Sequence, residues 1–173
     1  MRNILIKLKY IFFSLNNYSN ELRKIGVRIG ENCEIYPDVF FGSEPYLITI
    51  GNHVRITSGC KFITHDGGVW VLREKYNNEK IDLFGQIQIG NNVHIGMNTI
   101  IMPGVTIGNN VIVGCGAVVT KDIPDGQIWA GVPAKFIKNI DDYYSDHIDE
   151  FDYTKKFSSQ NKKEYLKRKY NIK

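Results

Sequence analysis

Between residues 83 and 124 apolar residues recur every six positions. Leu83, Ile89, Ile95, Ile101, Ile107, Val113 and Val119 open successive blocks, and Ile87, Val93, Thr99, Val105, Val111 and Ala117 fill the fifth place. A period of six fits neither an amphipathic helix, near 3.6, nor a flat strand, at 2. It predicts a solenoid of triangular cross-section, with three short strands and three corners in each turn of about 18 residues. The first position points a bulky side chain into the prism, and the fifth a smaller or β-branched one. Gly90, Gly96, Gly108 and Gly114 in the second position suit corners where the backbone turns tightly.

The pattern also runs upstream, interrupted. Ile29, Ile35 and Phe41 open blocks with Cys33 and Val39 in fifth place, and after "GSEPYLIT" it resumes at Ile50, Ile56 and Phe62 with Val54 and Cys60. Cys33 and Cys60 thus read as small apolar fillers inside the prism. From Phe62 to Leu83 the frame is lost. Open prism ends and flat sheet faces need cover, so self-association is expected. Neither its order nor the coil's hand follows from the repeat, although parallel crossovers are normally right-handed.

Both ends of the chain depart from the repeat. Residues 1–24 predict an amphipathic helix with Ile4, Leu8, Ile11, Phe12 and Leu15 on one face and Arg2, Lys7 and Lys9 beside it. That helix packs on its own domain or a partner subunit, or lies on an anionic membrane surface. The β-helix occupies 25–137, with a protruding loop at 65–82, and 138–173 is a charged extension. In that extension "DDYYSDHIDEFD" holds six acids and "KKFSSQNKKEYLKRKYNIK" eight basic residues against one Glu, with a short helix around "NKKEYLKRKY". The two stretches pair with each other, or the basic one meets anionic lipid or a charged polysaccharide.

Composition adds bounds. The chain has 173 residues, 43% hydrophobic and 23% charged, which suits one soluble domain; a net charge of +4 is too mild to imply nucleic acid. Three cysteines without CxxC spacing, and no signal-peptide cleavage pattern, make a reducing cytoplasm the default compartment, with contact at the inner face of the membrane as a variant. No uncharged apolar run near the start approaches a membrane span.

The hexads, closed by "VVTKDIPDGQIWAGVPAKFIK" and interrupted by a His-bearing loop, resemble the hexapeptide-repeat acetyltransferases. Within them the closest likeness is to the galactoside, maltose and xenobiotic acetyltransferases and the O-acetyltransferases of surface polysaccharides. The likeness runs from about Ile25 to Ile140, and "TKDIP…AGVPAK" is its most specific part. It implies a left-handed parallel β-helix, an all-β solenoid, against the crossover rule. It also implies a homotrimer with acetyl-coenzyme A in the groove between neighbouring subunits, so that two chains share each active site.

Candidate chemistry concentrates in the loop, where a rigid scaffold carries its function. Moving an acetyl group from a thioester to an alcohol needs a base, and a neutral imidazole serves near neutral pH. His65 opens the loop and matches the family's catalytic base. Asp66 is an acceptor-pocket group or a loop cap. Trp70 suits stacking on a sugar ring, and Arg73 and Glu74 suit hydroxyls, unless these residues cover a neighbouring subunit. Glu44, in the earlier interruption, falls near the family's acceptor-binding carboxylate. His53 and His147 read as surface residues. His53, His65 and His94 show no close pair at ligand spacing, so no metal site is expected.

The family match assigns the coenzyme to His94, Met97, Cys115, Gly116, Thr120, Lys121, Lys135 and Lys138. Met97 stands where galactoside-type relatives offer a Ser hydroxyl to the oxyanion, so only its backbone N–H can serve. Lys135 and Lys138 stand where relatives often carry Arg; lysine keeps the charge but loses the forked geometry. The resulting expectation is an acetyl-CoA-dependent O-acetyltransferase acting on a sugar hydroxyl in surface-polysaccharide assembly by direct transfer. The alternatives are N-acetylation of a nucleotide-linked amino sugar or a xenobiotic amine, and a non-catalytic trimeric scaffold.

Overall fold

The computed structural model describes residues 15–173. Of the apolar face expected at the N-terminus, Ile4, Leu8, Ile11 and Phe12 lie outside those residues. Helix α1 (Leu15–Lys24) leads into the prism. Eleven short strands then wind through three sheets: β1 (Arg28–Ile29), β2 (Glu34–Ile35), β3 (Ile48–Ile50), β4 (Val54–Ile56), β5 (Lys61–Phe62), β6 (Ile87–Ile89), β7 (Val93–Ile95), β8 (Ile100–Ile101), β9 (Thr106–Ile107), β10 (Val111–Val113) and β11 (Val118–Val119). Helix α2 (Val69–Lys75) lies between β5 and β6. After β11 come β12 (Gln127–Ala130) and β13 (Lys135–Asn139), then α3 (Ile140–His147) and α4 (Ser159–Lys169).

The first sheet stacks β1, β3, β6 and β9; the second stacks β2, β4, β7, β10, β12 and β13; the third stacks β5, β8 and β11. All pairings are parallel except β12 with β13. In the first sheet Ile29, Ile50, Ile89, Ile107 and Ile123 stand in one column, at spacings of 21, 39, 18 and 16 residues. An uninterrupted turn is therefore 18 residues, as the period requires. The extra residues leave the prism as loops, and the last turn is two short because the corner Thr120–Asp122 is clipped.

Positions one and five fill the interior. Ile35, Ile56, Ile95, Ile101, Val113 and Val119 are buried, as are Val54, Cys60, Val93, Val105, Val111 and Ala117. Burying each Ile or Val contributes about 1.5–3 kcal/mol. Phe41 and Phe62 stack at 5.0 Å between ring centroids, one coil apart. Thr99 is buried in a fifth position and donates its hydroxyl to the Gly96 carbonyl at 2.8 Å. Cys33 and Cys60 are interior fillers whose thiols donate to the carbonyls of Gly51 and Gly96, each at 3.1 Å.

Two expectations are corrected. Leu83 shares the hexad frame but is 55% exposed, and it belongs to the loop. The frame re-enters at Ile87, the first residue of β6, because only from there does the backbone pair with β3. The second-position glycines are needed for a different reason. None has a positive φ; instead a Cβ on Gly90 would lie 2.7 Å from the Gly108 carbonyl, and one on Gly96 2.5 Å from the Cys115 nitrogen. Left-handed backbone occurs in position four, at Asn32, His53, Asn92, Asn98 and Asn110 and at Gly59, Gly104 and Gly116.

Asparagine tightens one corner further. Side-chain oxygens of Asn52, Asn91, Asn109 and Asp125 accept from the backbone N–H of Glu31, Asn52, Asn91 and Asn109, at 2.7–2.8 Å. Those bonds with Asn109 hold the Asp125 carboxyl below its ordinary range. Among the described residues no earlier coil donates to β1, and the Arg23 guanidinium bonds the carbonyls of Ile29 and Gly30 instead. This is edge protection by a helix.

One compact unit ends at Asp141; the other runs Asp142–Lys173. Within the second, Ser158 caps α4 by accepting from the Asn161 N–H, and Asp152 receives bonds from Tyr165 and Lys169, both at 2.6 Å. These bonds, the Lys169 one foremost, lower the Asp152 carboxyl from its usual range. The helix expected around residues 161–170 is α4. Among the described residues no helix is long and apolar enough to cross a membrane.

Close stacking predicts a contrast between two glycine substitutions. Gly90→Ala drives a Cβ into the next coil and should cost about 3 kcal/mol, the range of overpacked interiors. Gly104→Ala meets nothing within 4 Å and bears only the φ of 83°, about 1 kcal/mol. Urea unfolding of the two variants measures the difference; equal losses would contradict the stacking argument.

Candidate functional site

Both interruptions of the repeat leave the prism at one corner, where the chain passes from the third sheet back to the first. Residues 42–47 leave after Phe41 and residues 63–86 after Phe62. Glu44 follows Phe41 by three residues and His65 follows Phe62 by three, so the two stand in the same register on successive coils. The Glu44 Oε2 lies 3.1 Å from His65 Nδ1. Thr64, fully buried, donates its hydroxyl to the same carboxylate oxygen at 2.6 Å, and Ser43 Oγ is 3.3 Å from His65 Nδ1.

This arrangement sets the imidazole's chemistry. A neutral ring that donates Nδ1–H to this carboxylate keeps its lone pair on Nε2. Thr64, then Ser43 and His65, hold the Glu44 carboxyl below its ordinary 4.5, so it stays an acceptor wherever the imidazole is neutral. Glu44, expected near the acceptor, lies against His65 and also lines the cavity beside it.

The loop is closed at its base. His65 and Phe84 form an antiparallel bridge, Asp66 N–H donates to Leu83 O and Gly85 N–H to Thr64 O, each at 2.9 Å. Asp66 Oδ1 accepts from Gly68 N–H at 2.8 Å, which makes it a cap of the turn leading into α2. Arg73 Nε donates to Ile81 O at 3.0 Å, and Nη2 pairs with Asp82. A cavity of about 270 Å³ lies against the imidazole, lined among others by Glu44, Asp66, Trp70, Arg73, Leu83 and Phe84. Asp82, Thr64, Ser43 and Phe84 were missed in the sequence. Only the equal offset of Glu44 and His65 from Phe41 and Phe62 would have signalled the pair.

The residues assigned to the coenzyme do not join this cavity. Met97, Cys115 and Gly116 share another corner, between the second and third sheets, where Gly116 N–H donates to Met97 O at 2.7 Å. Cys115 is exposed. His94 stands on the outer face of the second sheet between Arg55 and Ile112; burial, then Arg55, push its imidazole below the ordinary 6.5. Thr120 and Lys121 occupy the same corner as His65, two coils further on, and Lys135 and Lys138 lie on β13. Among the described residues no group of three or more His, Cys, Asp or Glu could hold a metal ion.

Residues 86–121 match the bacterial transferase hexapeptide model of six repeats. Protein CapG of Staphylococcus aureus is 54% identical over 168 residues, 94% of this chain and 96% of its own length. Galactoside O-acetyltransferase of Escherichia coli K12 is 35% identical over 150 residues, 73% of this chain and 72% of its own. The chain belongs to the hexapeptide-repeat transferase family. A galactoside acetyltransferase solved in complex with coenzyme A superposes with a TM-score of 0.56 at 27% identity, covering 83% of this chain and 82% of that one. The coil is accordingly left-handed, an exception to the crossover rule, and the protein is an acyltransferase.

The depressed Glu44 carboxyl fixes a pH dependence. A folded-state pKa below the unfolded value of 4.5 adds stability that is fully present above about pH 4.5 and is lost as pH falls through the folded value. The stability gap between wild type and Glu44→Gln should therefore be constant from pH 7 to 5 and close on further acidification. Melting temperatures across that range measure it; a gap that widens toward acid would overturn the assignment.

Proposed function

We propose that this protein is an acetyl-CoA-dependent O-acetyltransferase that modifies a sugar hydroxyl during assembly of a surface polysaccharide. The observation that carries the reading is the His65–Glu44 pair, with Nε2 directed away from the carboxylate and a cavity against the ring. The capsule-type name of the 54% identical relative and the galactoside activity of the other support the acceptor class. An amine acceptor is the second reading, supported by the carboxylates that line the cavity.

Acetyl-CoA, when bound, supplies an activated thioester carbonyl. His65 Nε2 accepts the proton of the sugar hydroxyl as its oxygen bonds to the acetyl carbon; the carbon–sulfur bond then breaks, and the imidazolium returns the proton to the leaving thiolate. Glu44 stabilises the imidazolium between those steps. The exposed backbone of the Met97–Gly116 corner suits a chain of amides, and Lys121, Lys135 and Lys138 suit phosphates. The catalytic loop and this corner lie on different edges of one chain. A homotrimer that joins the loop of one subunit to the corner of the next makes the site whole. Cytoplasmic placement, where acetyl-CoA is made available, goes with this reading.

Replacing His65 by Ala should lower kcat by about 10²–10⁴ while leaving association state and coenzyme affinity intact. A variant that retains half of wild-type kcat would remove His65 from the mechanism. Single Ala substitutions at Lys121, Lys135 or Lys138 should raise KM for acetyl-CoA roughly tenfold, from loss of a charge-assisted contact of about 1.5–3 kcal/mol. Should they raise only the acceptor KM, the phosphate assignment fails.

A further inference from the structure

The charge of this chain is unevenly placed. Residues 152–173 hold eight of its 22 Lys and Arg and two of its 18 Asp and Glu, and the other 151 residues hold 14 and 16. The positive surplus therefore belongs wholly to this segment, which lies in the second compact unit, Asp142–Lys173. Pairing with the preceding acids does not absorb it. Of the eight basic residues only Lys169 has a carboxylate, Asp152 at 2.6 Å; the other seven hold no ion pair among the described residues. Self-association does not absorb it either, because every copy brings its own +4. None of these residues belongs to the loop or to the corner that a neighbouring copy would complete.

The fold turns part of this charge to one side of a helix. Tyr165 and Lys169, four residues apart on α4, both donate to Asp152 at 2.6 Å, and Phe157 meets the Tyr165 ring edge-on at 6.0 Å. That side is held. Lys163 and Lys167, also four apart, fall on the opposite side, with Tyr170 next along the same stripe. The helix has 11 residues, a length of about 16 Å. Tyr170 and Ile172, just past its end, are both more than half exposed.

Two kinds of group thus stand together, cations without acids and apolar side chains beside them. A lipid surface satisfies both. Its phosphates take the ammonium groups, a tyrosine ring suits the headgroup level, and an isoleucine gains at the acyl boundary. A polyanion free in water satisfies the charges and offers Ile172 nothing. We infer that the unit Asp142–Lys173 docks on an anionic lipid bilayer, with α4 lying flat and Lys163, Lys167 and Tyr170 turned toward the lipid. The contact is peripheral. Each lysine or arginine near such a surface raises partition roughly fivefold, and an assembly of several copies multiplies the gain.

The test is sedimentation of the full-length protein with two kinds of vesicle, at low and at high salt. One is phosphatidylcholine alone, the other equal parts of phosphatidylcholine and phosphatidylglycerol. The anionic vesicles should bind at least about tenfold better, and that advantage should shrink as salt screens the charges. Lys163→Gln combined with Lys167→Gln should lower anionic binding roughly 25-fold. The same two positions changed to Arg should retain it, which separates lost charge from a disturbed helix. Tyr170→Ser combined with Ile172→Ser should weaken the binding that remains at high salt. Equal binding to both vesicles, anionic binding untouched by the Gln pair, or a loss with the Arg pair as large as with the Gln pair would overturn the inference. Binding to heparin or to a single-stranded oligonucleotide with none to vesicles would overturn it too. Each of these results leaves acetyl transfer to be decided by its own kinetics, so the two readings fail separately.

Discussion

Everything in this chain hangs on the vertical hydrogen bond between coils. Gly30 N–H donates to Ile50 O, Gly51 to Ile89 O, Gly90 to Ile107 O and Gly108 to Ile123 O, at 2.8–2.9 Å. Coils so bonded must superpose, strand on strand, about 4.8 Å apart. Side chains at position two would fill that gap, which is why glycine recurs there. The interior then has one shape at every level, and a bulky aliphatic in position one with a small residue in position five fills it. Departures are tolerated only where no vertical bond is broken, at the corners.

That restriction turns a repeat into a device for placing groups. Two insertions at one corner of successive coils emerge one above the other, so Glu44 and His65 meet without a dedicated scaffold. The rungs beneath them are tied by Thr64, whose backbone C=O accepts from Gly85 N–H at the loop base and whose hydroxyl reaches the Glu44 carboxylate. Rigidity is inherited from the prism, and the loop adds a short antiparallel clamp and the bonds of Arg73. Groups that act together must be held in place before a substrate arrives, and the stack of coils holds Glu44 against His65.

The solenoid was legible because its signal is repeated many times over: Ile95, Ile101, Val113 and Val119 each restate one steric demand. Leu83 shows the limit of that signal. It falls in frame by coincidence of spacing, since periodicity along a chain says nothing about whether the backbone is paired at that point. His65 was legible as a candidate base because few residues can serve, and the loop marks it. Its partner was not, because the sequence separates Glu44 from it by 21 residues and only the coil spacing of that stretch brings them together. The same holds for Arg73, whose commitment to Asp82 depends on how the loop returns.

Geometry also bears on why such a chain would act as an assembly. Direct transfer needs the acetyl carbon within about 3–3.5 Å of the acceptor oxygen, hence beside His65. The corner bearing Met97 and Cys115 precedes the third sheet and the corner bearing His65 follows it. The sheet between them is about three to four residues wide, roughly 10–13 Å at the rise of a strand. A thioester held along the first corner of one chain is thus a sheet's width from the base of that chain. An assembly in which the first corner of one copy met the loop of the next would close that gap, and closed symmetry would repeat the contact for every copy. On that arrangement the stacking that fixes Glu44 beneath His65 also fixes the height at which a neighbour must present its thioester, so the coil register sets both halves of the site.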